Sequence, residues 1–216
     1  MSGLFPVLQI LFPTDWREGR ASTGPAEGWR LLLCALSLKD AAEFALSERA
    51  SVLALVDEER EHVALFDDAG NETPHSCGLP FDGGPSDAFL LGEEGPWTWG
   101  LSTGRDILFP EHARALAAAG MDVLCVLPGR VEERSALPLD VLARARALEN
   151  QIYVVLLSPE GEESLFVGPG GLPIPLVEER GFPTAMVERS AVASARKALP
   201  LLDFARKSPL AGLAKR

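Results

Sequence analysis

The side chains of this chain that could serve as nucleophile and base come close together in one short segment. His75 and Cys77 are separated by a single residue, in a stretch rich in Gly, Pro, Ser and Asp. An imidazole can accept the proton of a thiol, and the thiolate that results attacks a carbonyl or nitrile carbon. The pair is therefore a candidate nucleophile and base for a hydrolysis, and the alternative is an exposed thiol on a surface loop.

The other cysteines and the remaining histidines indicate structure rather than chemistry. Cys34 lies in "LLLCAL" and Cys125 in "VLCVL", two apolar runs in which a free cysteine is usually a small core residue. Three distant cysteines without a CxxC pair, together with three scattered histidines, give neither a disulfide framework nor metal-ligand spacing. We expect no metal, no cofactor and a reducing, cytoplasmic location.

Charge and hydropathy exclude several classes of function. The 216 residues carry a formal net charge of -11, whereas nucleic acids and anionic bilayers select basic surfaces, so we expect neither as a partner. No apolar run approaches the roughly 20 residues that a membrane-spanning helix needs, and the N-terminal stretch lacks the basic region and cleavage site of a signal peptide. The composition, 47% hydrophobic and 24% charged, is typical of a globular domain.

The elements that would position catalytic groups are clearest in the second half of the chain. "WTWGL" reads as a strand, a helix begins at Pro110 and stops at Gly120, and "MDVLCVLPG" is a buried strand. "LDVLARARALEN" predicts a helix with one apolar stripe towards the core, made of Val141, Leu142, Ala145 and Leu148. The alternation of strands and helices predicts an α/β fold with helices covering the faces of a sheet.

The first half is less regular. "RLLLCAL" is a short strand or a buried helical turn, residues 38–50 have helical spacing, and "SVLALVDEE" and "EHVALFDDAGN" predict two short strands. Residues 71–96, rich in Gly, Pro, Ser and Asp, predict a long surface loop.

The stretch "GLSTGRDILFPEHARALAAAG", residues 100–120, reads as a strand, a tight turn and a helix. Turns of this kind often carry a nucleophile, and here the turn carries Gly104. Arg105 and Asp106 follow it and either have a structural role, in which they pair with neighbouring residues or cap the turn, or bind a ligand. Trp97 and Trp99 alternate along the preceding strand, so they share a face and either pack in the core or line a pocket, with Trp99 the candidate for binding.

Three segments resemble the carbon–nitrogen hydrolase (nitrilase) superfamily, in the family's order: residues 106–129, 142–155 and 185–213. In addition, "VALFDDAGN" resembles the strand and turn that precede the family's catalytic lysine. The resemblance implies a four-layer α-β-β-α sandwich formed by a single domain, residues 1–216, whose part up to about residue 96 is shortened. It also implies a homodimer formed through the helices next to the turn.

The same resemblance implies a chemistry of three groups: a cysteine nucleophile, a glutamate base and a lysine that stabilises the oxyanion. Counting back from "FPE" puts Gly104 at the nucleophile position. The glutamate position is matched best by "ILFPTDW", which puts Thr14 there. No lysine lies between Lys39 and Lys197.

These residues favour a nitrilase-like pseudoenzyme, a dimer that binds a small molecule or a protein partner and is inactive in C–N bond hydrolysis. The alternative is an atypical amidase or C–N hydrolase that uses Cys77 with His75, or a water molecule activated by Asp15 or Asp106. A third interpretation is an inert scaffold whose function is its interface.

Overall fold

The computed structural model describes residues 7–11, 29–34, 38–57, 62–75, 90–103, 105–127, 138–157, 164–179 and 182–207. The strands within these ranges are β1 (Val7–Leu11), β2 (Trp29–Cys34), β3 (Ser51–Asp57), β4 (His62–Phe66), β5 (Glu72–His75), β6 (Leu91–Glu94), β7 (Trp97–Thr103), β8 (Val123–Leu127), β9 (Tyr153–Leu156), β10 (Leu165–Val167), β11 (Val177–Glu179) and β12 (Phe182–Glu188). The α-helices there are α1 (Leu38–Glu48), α2 (Pro110–Ala118), α3 (Leu139–Asn150), α4 (Arg189–Ala198) and α5 (Leu201–Lys207), and a short 3-10 helix, Asp106–Leu108, precedes α2.

The strands form two sheets. The first has the order β11-β12-β1-β2-β3-β4-β5 and the second the order β10-β9-β8-β7-β6. At the centre of each sheet three strands are parallel: β1, β2 and β3 in the first, and β7, β8 and β9 in the second. Every residue of β8 is buried, as expected for a central parallel strand that is covered on both faces.

The main core lies between the two sheets. Leu31, Leu33 and Leu53 of the first sheet belong to one buried cluster with Trp97 and Trp99 of the second. The ring of Trp99 lies directly against its strand neighbour Gly92, where an added Cβ would come within 2.0 Å of the indole Cζ2. Glycine at that position therefore permits the close approach that buries the indole.

Helices cover the outer face of each sheet. Phe44 and Ala45 of α1 pack on β3 and β4, whereas Leu116 of α2 and Ala147 of α3 pack on β8 and β9. The layers are thus helix, sheet, sheet and helix, so the predicted four-layer sandwich is confirmed. No helix in the described part of the chain is long and apolar enough to cross a membrane.

The predicted face of α3 is wrong. Val141 and Leu148, expected in the core, are 55% and 52% exposed. The buried residues of this helix are Ala143, Arg146, Ala147 and Asn150. The small alanines let the helix approach the sheet closely, and Arg146 is tolerated inside because its guanidinium donates to backbone carbonyls.

The prediction of one long loop over residues 71–96 is also wrong in part. It contains β5 at the edge of the first sheet and β6 at the edge of the second. β5 escaped detection because "ETPH" is mostly exposed and contains a proline, which an edge strand tolerates. The ambiguous "RLLLCAL" forms β2.

Candidate functional site

The carboxyl ends of strands from both sheets meet at one edge of the sandwich. β5 ends at His75 in the first sheet, and β7 ends at Thr103 in the second. His112, in the first turn of α2 just beyond β7, lies close enough to His75 for the charge of one imidazole to affect the other. We call the group formed by His75, Thr103, Asp106 and His112 the elbow edge.

The carboxylate of Asp106 links the turn to the end of β7 through hydrogen bonds. The Thr103 backbone N–H donates to Asp106 Oδ2 at 3.2 Å, and the Thr103 hydroxyl lies 3.4 Å from the same oxygen. Only 1% of Asp106 is exposed. Asp106 therefore caps the turn, which is one of the two roles considered for it, and a role in ligand binding stays a prediction.

Backbone hydrogen bonds continue the turn into α2. The amide of Leu108 donates to the carbonyl of Arg105 at 2.9 Å, and the amide of Phe109 donates to the carbonyl of Asp106 at 3.0 Å. Pro110 then occupies the first turn of α2, where its missing N–H costs nothing. The short 3-10 helix thus leads directly into α2.

Arg146 of α3 holds this turn from the other side. Its Nε donates to the carbonyl of Ile107 at 3.0 Å and its Nη2 to the carbonyl of Leu108 at 3.1 Å. Its Nη1 lies 2.9 Å from Glu149 Oε1, which supplies a counter-charge. The sequence analysis missed Arg146. The available signal was an arginine with a glutamate three residues later, within a helix otherwise rich in alanine.

His112 is a second residue that the sequence analysis missed. Its Nε2 lies 3.8 Å from Asp106 Oδ2, and only 2% of the residue is exposed. Burial lowers the pKa of His112, and His75 lowers it further, while Asp106 acts in the opposite direction. The imidazole is therefore neutral at neutral pH. The signal was a histidine directly after the Pro-Glu that opens the helix.

The other end of the second sheet carries a different cluster, which we call the opposite edge. Asp122 precedes β8, and its carboxylate lies 3.5 Å from Arg189 Nε and 3.5 Å from Arg196 Nη1. Arg196 also donates to the carbonyl of Met121 at 2.7 Å. Burial raises the pKa of Asp122, although both arginines act to lower it. This cluster attaches α4 to the second sheet.

No group of three or more His, Cys, Asp or Glu side chains in the described ranges could hold a metal ion. Cys125 lies in the core, and burial raises the pKa of its thiol, so it stays protonated and shielded from reagents.

Comparison with known proteins places this geometry in a family. The carbon-nitrogen hydrolase family profile matches residues 47–195, which include the elbow edge. The chain belongs to the carbon–nitrogen hydrolase superfamily.

Two curated proteins named as hydrolases are similar to this chain in sequence over part of their length. A Pseudomonas protegens protein named "Hydrolase in pqqF 5'region" is 40% identical over 77 residues, which cover 36% of this chain and 27% of that protein. A Schizosaccharomyces pombe protein named "Hydrolase C26A3.11" is 29% identical over 128 residues, which cover 54% of this chain and 39% of that protein. The matched regions therefore span less than half the length of either relative.

Solved structures with the carbon–nitrogen hydrolase fold superpose on nearly the whole chain. A carbon-nitrogen hydrolase from Helicobacter pylori G27 gives a TM-score of 0.70 at 17% identity, covering 98% of this chain and 99% of that one. XC1258 from Xanthomonas campestris, whose active site carries an arsenic adduct, gives 0.69 at 15% identity, covering 92% and 96%. At these identities the likeness shows the shared fold.

The residues predicted from the sequence are only partly within the described ranges. Gly104, Thr14 and Cys77 lie outside them. His75 is buried at the elbow edge, and Arg105 is the N-cap residue that precedes the short 3-10 helix. Trp99 is buried in the core between the sheets, so packing accounts for it, and its role in binding stays a prediction.

Proposed function

We propose that this chain is a nitrilase-like pseudoenzyme: a carbon–nitrogen hydrolase by descent that binds a small molecule or a protein and does not hydrolyse C–N bonds through a thiolate. The observation that carries the proposal is Gly104, a residue without a nucleophilic side chain, directly after β7. The chain also has no lysine between Lys39 and Lys197. Without a thiolate no thioester forms, and without a fixed cation the oxyanion is not stabilised.

The described polar groups beside the turn support the same conclusion. Asp106 bonds to Thr103, and Arg146 bonds to the carbonyls of Ile107 and Leu108. These are bonds within the protein that stabilise the turn itself. A general acid or base must reach the proton that it transfers, and the almost complete burial of Asp106 argues against such access.

The test is to restore the nucleophile. Wild type, Gly104→Cys and the matched control Gly104→Ser are incubated with a panel of aliphatic amides and nitriles, and ammonia release is measured. We expect all three to stay at background, because a thiol alone lacks the lysine and the base. Turnover by Gly104→Cys clearly above Gly104→Ser would show that the remaining machinery is intact and would overturn the proposal.

The second candidate is an atypical hydrolase that uses Cys77 with His75. It is favoured by one observation: His75 lies at the elbow edge, next to a second imidazole and two residues before Cys77 in the chain. Iodoacetamide labelling across pH 5 to 9, with each cysteine followed by mass spectrometry, separates the two candidates. Under our proposal all three thiols label slowly or with an ordinary thiol titration. Rapid labelling of Cys77 near pH 6, abolished by His75→Gln, would favour the hydrolase.

We also propose that the chain forms a homodimer through the outer face of α3. Val141 and Leu148 are exposed there, and Leu172 and Ile174 are exposed in the loop beside it. Arg144 Nε donates to the carbonyl of Gly171 at 3.1 Å and holds that loop against the helix. We call these four apolar side chains the α3 patch. A cluster of exposed apolar groups of this kind is typical of an interaction surface.

Light scattering coupled to size exclusion tests the dimer. Leu148→Glu places a charge in the α3 patch, and the matched control Leu46→Glu changes an equally exposed leucine, 53% against 52%, on α1. We expect a dimer for wild type and Leu46→Glu, and a monomer for Leu148→Glu. A monomeric wild type, or a dimer that Leu148→Glu leaves intact, contradicts this assignment. If the protein is a dimer whose Tm no small molecule raises, the inert scaffold is the better description.

A further inference from the structure

The two histidines of the elbow edge come from different sheets. His75 ends β5 in the first sheet, whereas His112 lies in α2, directly behind the end of β7 in the second. Both are buried, with 8% and 2% of the residue exposed. A proton taken up by either imidazole therefore places a charge where little water is available to solvate it.

The groups around His112 determine what such a charge would meet. The short 3-10 helix contributes Asp106, and β5 contributes His75. The strand β7 offers only the uncharged side chains of Ser102 and Thr103 at this end. Other charged groups nearby are Arg146 of α3, which donates to the carbonyls of Ile107 and Leu108, and Glu111 and Arg114 of α2 itself.

Asp106 compensates such a charge incompletely. Its Oδ2 is held by the amide and hydroxyl of Thr103, and it lies 3.8 Å from His112 Nε2, beyond hydrogen-bond distance. Once His112 and His75 are both protonated, their positive charges repel each other.

We propose that the elbow edge is a pH-sensitive contact, which holds the 3-10 helix and the first turn of α2 closed at neutral pH and releases them when His112 and His75 take up protons. The inference does not depend on whether the edge binds a ligand.

The direction follows from the linkage between proton binding and conformation. Because burial lowers the pKa of His112, the closed state binds a proton more weakly than an open, hydrated state. The closed state is therefore fully favoured above about pH 6.5, the ordinary pKa of a histidine, and loses its advantage as the pH falls towards the lowered value. Protonation of His75 acts in the same direction through charge repulsion.

Hydrogen exchange tests this release at named amides. Leu108, Phe109 and His112 donate to the carbonyls of Arg105, Asp106 and Phe109 at 2.9 to 3.1 Å. After correction for intrinsic exchange, we expect their protection to fall between pH 7.5 and 5.5, by up to about tenfold per pH unit for each linked proton. The control amides of Gly168 and Ile174, bonded in the loop after β10, should keep their protection.

Three variants identify which histidine causes the loss of amide protection at low pH. His112→Gln should keep its protection at pH 5.5, His75→Gln should show a smaller loss than wild type, and the matched control His62→Gln, which removes the third histidine, should behave as wild type. Constant protection in wild type, or the same loss in His112→Gln, overturns the proposal, and so does an equal loss at Gly168 and Ile174, which indicates global unfolding. If His112→Gln does not fold, the comparison in wild type between the amides of the elbow edge and those of Gly168 and Ile174 decides.

Discussion

The two ends of the second sheet both bury a carboxylate, and they surround it differently. At the elbow edge Asp106 is held by Thr103 and faces the neutral imidazole of His112. At the opposite edge Asp122 faces two guanidinium groups, Arg189 and Arg196. A guanidinium stays charged at every pH at which the protein is folded, whereas an imidazole gains its charge just below neutrality. The partners of Asp122 at the opposite edge thus keep their charge as the pH changes, whereas the charge of the partner of Asp106 at the elbow edge depends on pH.

The two edges should respond to acid with opposite signs. Burial lowers the pKa of His112, so the folded state loses stability as the pH falls below about 6.5. Burial raises the pKa of Asp122, so the folded state takes up that proton first and gains stability relative to the unfolded chain as the pH falls through the raised value. Variants that remove one partner at a time can separate these contributions.

The largest effect is expected from Arg146→Ala, which removes the support of the turn from α3. A hydrogen bond from a charged donor contributes about 1.5–3 kcal/mol, and two carbonyls would lose their donor, so the free energy of unfolding should fall by about 2–4 kcal/mol. Urea denaturation measures the loss. The control Arg144→Ala, on the same helix, removes an exposed side chain with one hydrogen bond to Gly171 and should cost less than about 1 kcal/mol. Equal losses in both variants would mean that Arg146 does not support the turn.

At the opposite edge, Asp122→Asn keeps the shape of the side chain and removes its charge. The raised pKa of Asp122 means that the cost of burying its charge offsets the attraction of the two arginines. We therefore expect a loss of no more than about 1 kcal/mol in the free energy of unfolding, since Arg189 and Arg196 are also partly exposed and can be solvated. Urea denaturation at neutral pH measures it, with Asp140→Asn, an exposed carboxylate on α3, as the control. A loss no larger than that of the control would refute the attachment.

The pH dependence of stability separates the edges. Between pH 7.5 and 5.5 we expect wild type to lose more stability than His112→Gln, by at most about 1.4 kcal/mol per pH unit for one linked proton. Asp122→Asn should lose at least as much as wild type, because it lacks the carboxylate that offsets the loss. Urea denaturation at a series of pH values gives the change in the free energy of unfolding with pH for the three proteins. If stability falls less steeply in Asp122→Asn than in His112→Gln, the loss of stability in acid does not come from His112.

The smallest effect is expected from Tyr153→Phe. The Tyr153 hydroxyl donates to the carbonyl of Glu188 at 3.3 Å and accepts from the Glu188 amide at 3.4 Å, two long bonds that join the sheets near the opposite edge. Their removal should cost less than about 1 kcal/mol in thermal or urea denaturation. Tyr153→Leu, which also removes the ring stacked 5.4 Å from that of Phe166, should cost more. Equal losses of stability in the two variants would mean that the hydroxyl alone accounts for the contribution of Tyr153.

Much of the fold could be predicted where local preferences and burial agree. Pro110 and Gly120 delimit α2 because proline fits the first turn of a helix and glycine fits the conformation after its end. The apolar run of β8 indicates a strand covered on both faces, and it is one. The face of α3 could not be predicted, because Val141 and Leu148 look like core residues until their exposure is known.

The candidate site could be predicted only in part. Asp106 was singled out because it follows the turn directly, and the residue that it bonds, Thr103, is only three residues away. Arg146 was not, since its partner Ile107 lies 39 residues away in the chain. His112 was missed for a similar reason: its burial and its contact with His75 depend on how two sheets pack.

The sequence by itself determined which side chains are present and where: glycine at 104, no lysine between Lys39 and Lys197, and a net charge of -11. Covalent identity and local backbone preference are properties of a residue and its neighbours, so they can be inferred from the sequence. Only the tertiary structure decided that His75 meets His112 and that Arg146 supports the turn. A side chain's burial, charge state and partners are set by segments that are distant in the chain and adjacent only after folding.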